Sequence, residues 1–372
     1  MLLILLASCN RENEYSILGQ FELVIELSKD VRSFNWTDQI EEYYYLPLET
    51  KSSVLREIRN IEVTQSGIYI SDRTIVNCYD HKGKLKYSIN SVGKGPGEYI
   101  AIDDMAYADG NLYIYDNNSR KVNIYNFENG KFRESVKVNG SFYEMEAING
   151  FLIFSVSSGL NSAHQDYEIT IYNIKEKKYS RYFKNSKVDF QDGFESQLTG
   201  NKMKYYATPL SNTVFKIDSL GNLTPHALLD FYGDKEIHDL KTLGKSINSR
   251  TELKQSNKYF GLTQWQENED YIYFHLKKRD KRLNYLYSKK NNTTYSLNGA
   301  RADLPIFVIG PPVATYKNYF IRPVDSYIFG KIKPENLNLD DPFTKKIYSQ
   351  IKQVSSNDNP CLLFYKLKNE EY

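Results

Sequence analysis

The sequence predicts an all-β protein: a six-bladed β-propeller of four-stranded antiparallel blades, with small helical insertions. Two observations carry that prediction. A block of paired β-runs recurs at steps of 44 to 47 residues, and the 372-residue chain holds 32 Tyr and 19 Phe. Tyrosine suits half-buried strands, because its ring packs while its hydroxyl reaches a polar partner. The same abundance is compatible with carbohydrate stacking.

The repeat is clearest over two units. Gly67-Ile68-Tyr69-Ile70-Ser71-Asp72 corresponds to Gly110-Asn111-Leu112-Tyr113-Ile114-Tyr115-Asp116, and Val76-Asn77-Cys78-Tyr79 to Val122-Asn123-Ile124-Tyr125. Gly83-Lys84 then matches Gly130-Lys131. A preceding run (58–63, 100–107) and a following one (85–89, 132–138) complete four strands per unit. Further copies pair Gly150–Phe154 with Ile169–Ile174, Tyr205–Ala207 with Val214–Asp218, and Tyr271–Phe274 with Leu283–Tyr287. Tyr319–Ile321 with Cys361–Leu367 makes the sixth, and Tyr43–Leu48 is expected to close the ring as the outer strand of that blade. Such a sheet buries its faces only by stacking on neighbours, and radial closure protects its edges.

Composition narrows the function. A net charge of +2 gives no overall basic field, so nucleic acid is not an expected partner. The three cysteines, Cys9, Cys78 and Cys361, include no C-x-x-C pair, so neither a disulfide framework nor a zinc site is expected. Cys78 takes the slot of Ile124 and reads as a small buried hydrophobe. No apolar run approaches the roughly 20 residues that span a bilayer.

Ser91-Val92-Gly93-Lys94-Gly95-Pro96-Gly97-Glu98-Tyr99, followed by Tyr113-Ile114-Tyr115-Asp116, resembles the NHL repeat. More closely, the chain resembles the six-bladed propeller lipoproteins of Bacteroidetes, to which Leu46-Pro47-Leu48-Glu49-Thr50 and Asp358-Asn359-Pro360 also correspond. The resemblance covers residues 40–368 and is loosest in the middle blades, where Gly-Pro-Gly does not recur. It implies that Asp72 and Asp116 pair with the arginines that follow them, Arg73 and Arg120.

At the start of the chain, an apolar run leads to Leu6-Ala7-Ser8-Cys9, which matches the bacterial lipobox. No Lys or Arg precedes that run. The expected organisation is a lipoprotein signal peptide (1–8), an N-terminal tether (9–39) lipidated at Cys9, and the propeller (40–368). This places the protein in the cell envelope as an outer-membrane lipoprotein, periplasmic or surface-exposed, held to the membrane through lipid on Cys9.

Strand order separates two faces. The a–b and c–d turns emerge on one face and are tight, as at Asp109-Gly110 and Asn149-Gly150. The b–c turns and blade crossovers emerge on the other and include the long segments 93–99, 155–166, 184–203, 232–259 and 324–360. Recognition is expected on this long-loop face and its central pocket. Residues 234–254 and 343–354 carry apolar spacings of three and four and are expected to be helices, either roofing the disc or docking a partner.

Candidate ligand-binding residues on that face are Arg73, Lys94, Glu98, Tyr99, Asn117, Arg120 and His164. The two arginines could also read an anion, since a guanidinium grips carboxylate or phosphate in bidentate fashion. Leu243-Gly244-Lys245-Ser246 lacks the upstream glycine of a P-loop, and no G-x-S-x-G elbow occurs. The five histidines lack metal-ligand spacing, and Lys277–Arg282 is read as a solvated turn. No catalytic residue, metal or cofactor is therefore expected. The leading reading is a non-catalytic propeller that binds a protein or a glycan. The alternative is a metal-dependent propeller hydrolase or lactonase with Asp72, Asp103 and Asp116 around a central pocket.

Overall fold

The computed structural model describes residues 20–27, 31–156, 167–184, 198–200, 203–207, 212–231, 255, 259–279 and 281–369. Six antiparallel sheets follow one another along the chain, and the inner strand of each lies beside those of its two neighbours, so the ring closes. Blade 1 runs Asn60–Thr64, Gly67–Ser71, Val76–Tyr79 and Leu85–Ile89. Blade 2 runs Asp104–Ala108, Asn111–Asp116, Lys121–Asn126 and Phe132–Lys137. The remaining inner strands are Glu144–Ile148, Leu198–Thr199, Tyr259–Glu267 and Ala314–Tyr316. The tight turns have the chemistry their sequence implies. Asp109 and Gly110 sit at φ 50° and 70°, and Asn149 and Gly150 at 46° and 80°, a pairing that matches the right-handed twist of the flanking strands.

Blade 6 joins the two ends of the chain. Its outermost strand is Ile40–Pro47, paired antiparallel with Cys361–Leu367 so that Leu363 faces Tyr45. This is the ring closure expected from Tyr43–Leu48. Behind it, Pro342–Ile351 forms the expected helix, started by Asp341, whose carboxylate accepts from the Thr344 N–H at 2.7 Å. The helix buries Ile347 and Ile351 beside the Tyr43 strand, at the rim of blade 6 rather than over the axis. The other expected helix, 234–254, lies outside the described residues.

The segment before Ile40 is built in where it is described. Leu23–Glu26 adds a fifth, parallel strand to the outside of blade 4, and Arg32–Ser33 does the same on blade 5. Residues 23–27 and 31–39, expected within a tether, are thus laid along the rim by their apolar side chains, with Ile25, Phe34 and Trp36 buried. A polar clasp adds to this. His226 places its two ring nitrogens 2.7 and 2.8 Å from carboxylate oxygens of Glu22 and Glu267, and Trp265 donates its indole N–H to Glu267. Burial opposes ionisation of Glu267, but hydrogen bonding to His226 and the nearby Lys289 holds its carboxyl below the usual range.

Tyrosines fill the seams between blades and spend their hydroxyls on backbone. Tyr69 donates to the Phe127 carbonyl at 3.0 Å, and Tyr99 to that of Thr74 at 2.8 Å. Cys78 and Cys361 are both buried and free.

Because Trp36 packs edge-on against Phe34 and Tyr365 from the N-terminal segment, Trp36→Ala tests whether that segment belongs to the folded unit. Removing so large a buried ring is expected to cost about 3–5 kcal/mol in urea unfolding. A loose tether would show almost no change.

Candidate functional site

Every blade of a propeller presents the free edge of its inner strand to the axis, and those unpaired backbone groups must find partners. Here side chains at the start of the inner strands supply them. Asn60 of blade 1 donates to Asp104 of blade 2, and Asp104 accepts the N–H of Met145 in blade 3 at 2.7 Å. Glu144 of blade 3 in turn accepts the N–H of Leu198 in blade 4 at 3.2 Å. The same belt takes in the neighbouring strands, since Ser71 donates to Asn60 and Ser155 to Glu144.

Inside the belt lies a cavity of about 440 Å³ lined by all six blades. Its wall includes the long-loop ends of the inner strands and their lead-ins, such as Arg59, Asp103, Tyr143 and Val313, but none of the tight-turn residues. It therefore occupies the long-loop half of the channel, as the strand order predicts. Tyr143, 41% exposed, is the one aromatic side chain in the described lining. Most of the many tyrosines are spent on packing between blades.

Charge also lies behind the wall. Lys204 of blade 4 reaches Glu146 of blade 3 at 2.6 Å and donates to the Gly200 carbonyl at 2.8 Å. Burial alone would lower the Lys204 pKa, but Glu146 and Glu62 outweigh it and raise it. Glu62, on the inner strand of blade 1, is 8% exposed and makes no hydrogen bond or ion pair among the described residues. Burial is the main cause that lifts its pKa to about 8, with Glu146 adding to the shift and Lys204 opposing it. Asp104 is likewise held well above the carboxylate range by burial. The wall of blade 5 is irregular: pairing slips between Thr263 and Gln266, and Gln264 sits at φ 53°, a left-handed conformation costly for a residue with a Cβ.

The residues singled out from sequence do not converge. Arg73 and Arg120 are exposed on the long-loop face, and neither pairs with a carboxylate among the described residues. The implied Asp–Arg pairing is not formed. Asp72 instead accepts from the Thr74 and Ile75 N–H groups, and Asp116 from those of Ile100 and Ser119. These donors lie within the same connections and are fixed by the backbone, so they win over a mobile side chain. Asp103 is the one of the three carboxylates proposed for a hydrolase that lines the cavity. Glu98 closes the glycine loop on itself by accepting the Gly95 N–H at 2.6 Å, so tightly that a Cβ on Gly93 would lie 2.2 Å from its carboxylate. Lys94 is exposed on that loop, Tyr99 is buried beneath it, and Asn117 accepts from the Tyr115 hydroxyl. Cys9 and His164 lie outside the described residues.

Glu62, Glu146, Lys204 and Thr199 were not singled out from sequence. The available signal was a charge inside the β-run 58–63, which alternation assigns equally well to solvent. Chemically the wall offers hydrogen bonding and negative charge. It includes no histidine, cysteine or serine among the described residues, and no group of three or more His, Cys, Asp or Glu side chains there is placed to hold a metal.

The molecule is thus a six-bladed propeller with a polar central cavity. The chain belongs to the family described as a domain of unknown function, DUF4934, which matches residues 21–366. It is similar to a Bacteroides fragilis protein described as exported, at 19% identity and a TM-score of 0.71, covering 93% of this chain and 100% of that one. A weaker likeness links it to a DUF4221 member from Bacteroides vulgatus, at 9% identity and a TM-score of 0.45, covering 88% and 97%. BamB from Moraxella catarrhalis matches at 12% identity and a TM-score of 0.41, covering 74% and 84%. No curated protein matches. Among the described residues no helix is long and apolar enough to cross a membrane.

The Glu62 environment makes a prediction. Below pH 4.5 its carboxyl is neutral in folded and unfolded chains alike, and between 4.5 and about 8 only the unfolded chain releases the proton. Stability therefore falls as pH rises through that window. Glu62→Gln is expected to raise the melting temperature by several degrees at pH 8.5 and to leave it nearly unchanged at pH 4.5. Equal shifts at both values would show that the carboxyl is not held protonated.

Proposed function

We propose that this protein is a non-catalytic binding propeller of the bacterial cell envelope that takes part of a protein or glycan ligand into its central cavity from the long-loop face. The observation that carries the reading is the cavity itself: about 440 Å³, walled by polar side chains from all six blades and reached from the face with the elaborate connections. Its lining supplies donors, acceptors and one accessible aromatic ring at the mouth. Arg73, Lys94 and Arg120, all exposed on the same face, are proposed as outer contacts. Location in the envelope, with an outer-membrane lipid anchor on Cys9, rests on Leu6-Ala7-Ser8-Cys9. The solved relative described as exported supports export alone.

Two tryptophan substitutions test the site. Val313, 42% exposed, lines the mouth, and Leu220, 67% exposed, sits on a tight turn at the opposite face. Val313→Trp is expected to abolish retention of whatever the wild-type domain captures from glycan arrays and solubilised envelope proteins, with its circular dichroism unchanged. Leu220→Trp is expected to retain it. Capture indifferent to Val313→Trp would remove the cavity from the account.

A further inference from the structure

We propose that the central cavity receives a primary ammonium group of the ligand, with Glu62 as its counter-charge. The inference rests on reading the cavity as the binding site, and it assigns the chemistry of what enters. Six carboxylate residues line the wall against one basic residue, Arg59. Acidity alone decides nothing, because most of these carboxylates are already partnered. Asp104 and Glu144 accept backbone N–H groups, Asp103 accepts that of Asn117 at 2.7 Å, Glu57 faces Arg59, and Glu146 holds Lys204.

Glu62 is the exception. It is more than nine-tenths buried, lines the cavity from blade 1, and makes no hydrogen bond or close ion pair among the described residues, with the Lys204 ammonium acting on it only from a distance. Opposite, in blade 4, Thr199 lines the same cavity at 4% exposure, with its hydroxyl turned away from solvent and without a hydrogen-bond partner among the described residues. A carboxyl that faces the cavity without a hydrogen bond or close ion pair is costly to ionise unless a cation joins it. The left-handed Gln264 in the cavity wall is a third departure, independent of charge.

What fits is a monovalent, hydrogen-bonding cation. One free carboxylate neutralises one charge, whereas a divalent ion would need about six oxygen ligands, and no metal-ligating cluster exists among the described residues. The layer behind the wall shows how an ammonium is held here: Lys204 takes one carboxylate and one backbone carbonyl. With Lys204 set against both Glu146 and Glu62, one negative charge remains for the ligand.

The charged groups near Glu62 are Lys204 and Glu146, with Asp104 held by Asn60 on its own strand. Without ligand, Glu62 keeps its proton near neutral pH. An arriving ammonium stabilises the carboxylate, so the carboxyl gives its proton to solvent as the ion pair forms. Binding and proton release are then linked.

The test is calorimetric titration of the whole domain with n-butylammonium chloride, with n-butanol as the neutral isostere, in buffers of different ionisation enthalpy. The expected result is binding of butylammonium with release of close to one proton. Affinity should rise roughly tenfold per pH unit from pH 6 towards 8, since the alkylammonium stays charged throughout. Glu62→Gln, which mimics the protonated carboxyl and should fold, is expected to flatten that dependence and weaken binding at least tenfold at pH 8. Absence of butylammonium binding, equal binding of butanol, or a Glu62→Gln variant that behaves as wild type would each overturn the inference. If neutral ligands bind and Val313→Trp still excludes them, the cavity remains the binding site and the ammonium assignment alone falls. If Val313→Trp leaves all binding unchanged, both readings fall.

Discussion

The pairing of Ile40–Pro47 with Cys361–Leu367 is the constraint on which the molecule depends. Each blade is a small sheet whose faces stay dry only when neighbours cover them, so a missing outer strand in blade 6 would expose the seams on either side. Closure brings six inner strands to one axis and creates the cavity as a consequence. The chain strengthens the seal from outside, running along the rims of blades 4 and 5 before it supplies the closing strand.

Closure also creates the difficulty that the polar residues address. Inner-strand edges turn inwards, where water is scarce and backbone groups still need partners. Asn60, Asp104 and Glu144 meet that need by linking blades 1 to 4 in succession, which explains why carboxylates sit in strands that otherwise pack apolar faces. The Lys204–Glu146 pair extends this economy to the layer behind the wall. A buried ion pair is weak evidence for stability in itself, but once Lys204 is committed to Glu146, Glu62 is left as a carboxyl with a role to fill.

Legibility followed locality. The two strongest repeat units could be read because Gly83, Gly110 and Gly130 mark their tight turns within a few adjacent residues, and the closing strand because blade arithmetic left Tyr43–Leu48 with only one place to go. The rim strands were missed, since Leu23–Glu26 is too short for a periodic signal and its partner lies some two hundred residues away. The face that bears the cavity followed from strand order. Its chemistry did not. Alternation shows that Glu62 opposes Ile61 and Val63 across the strand, but whether its side meets solvent or the axis is decided by radial packing. Arg73 and Arg120 drew attention as charged residues after a repeated Asp, yet that Asp is satisfied by nearby N–H groups and leaves them at the surface.

A buried, partnerless carboxyl facing the axis is the core of this account, and its protonation can be observed directly. Carboxyl-¹³C glutamate labelling, with the Glu62 resonance assigned by its loss in Glu62→Gln, would follow that group through a pH titration. One glutamate titrating near pH 8 is the predicted result. If the Glu62 signal instead moves with the exposed glutamates in the ordinary carboxylate range, the group is solvated and is not the desolvated carboxyl described.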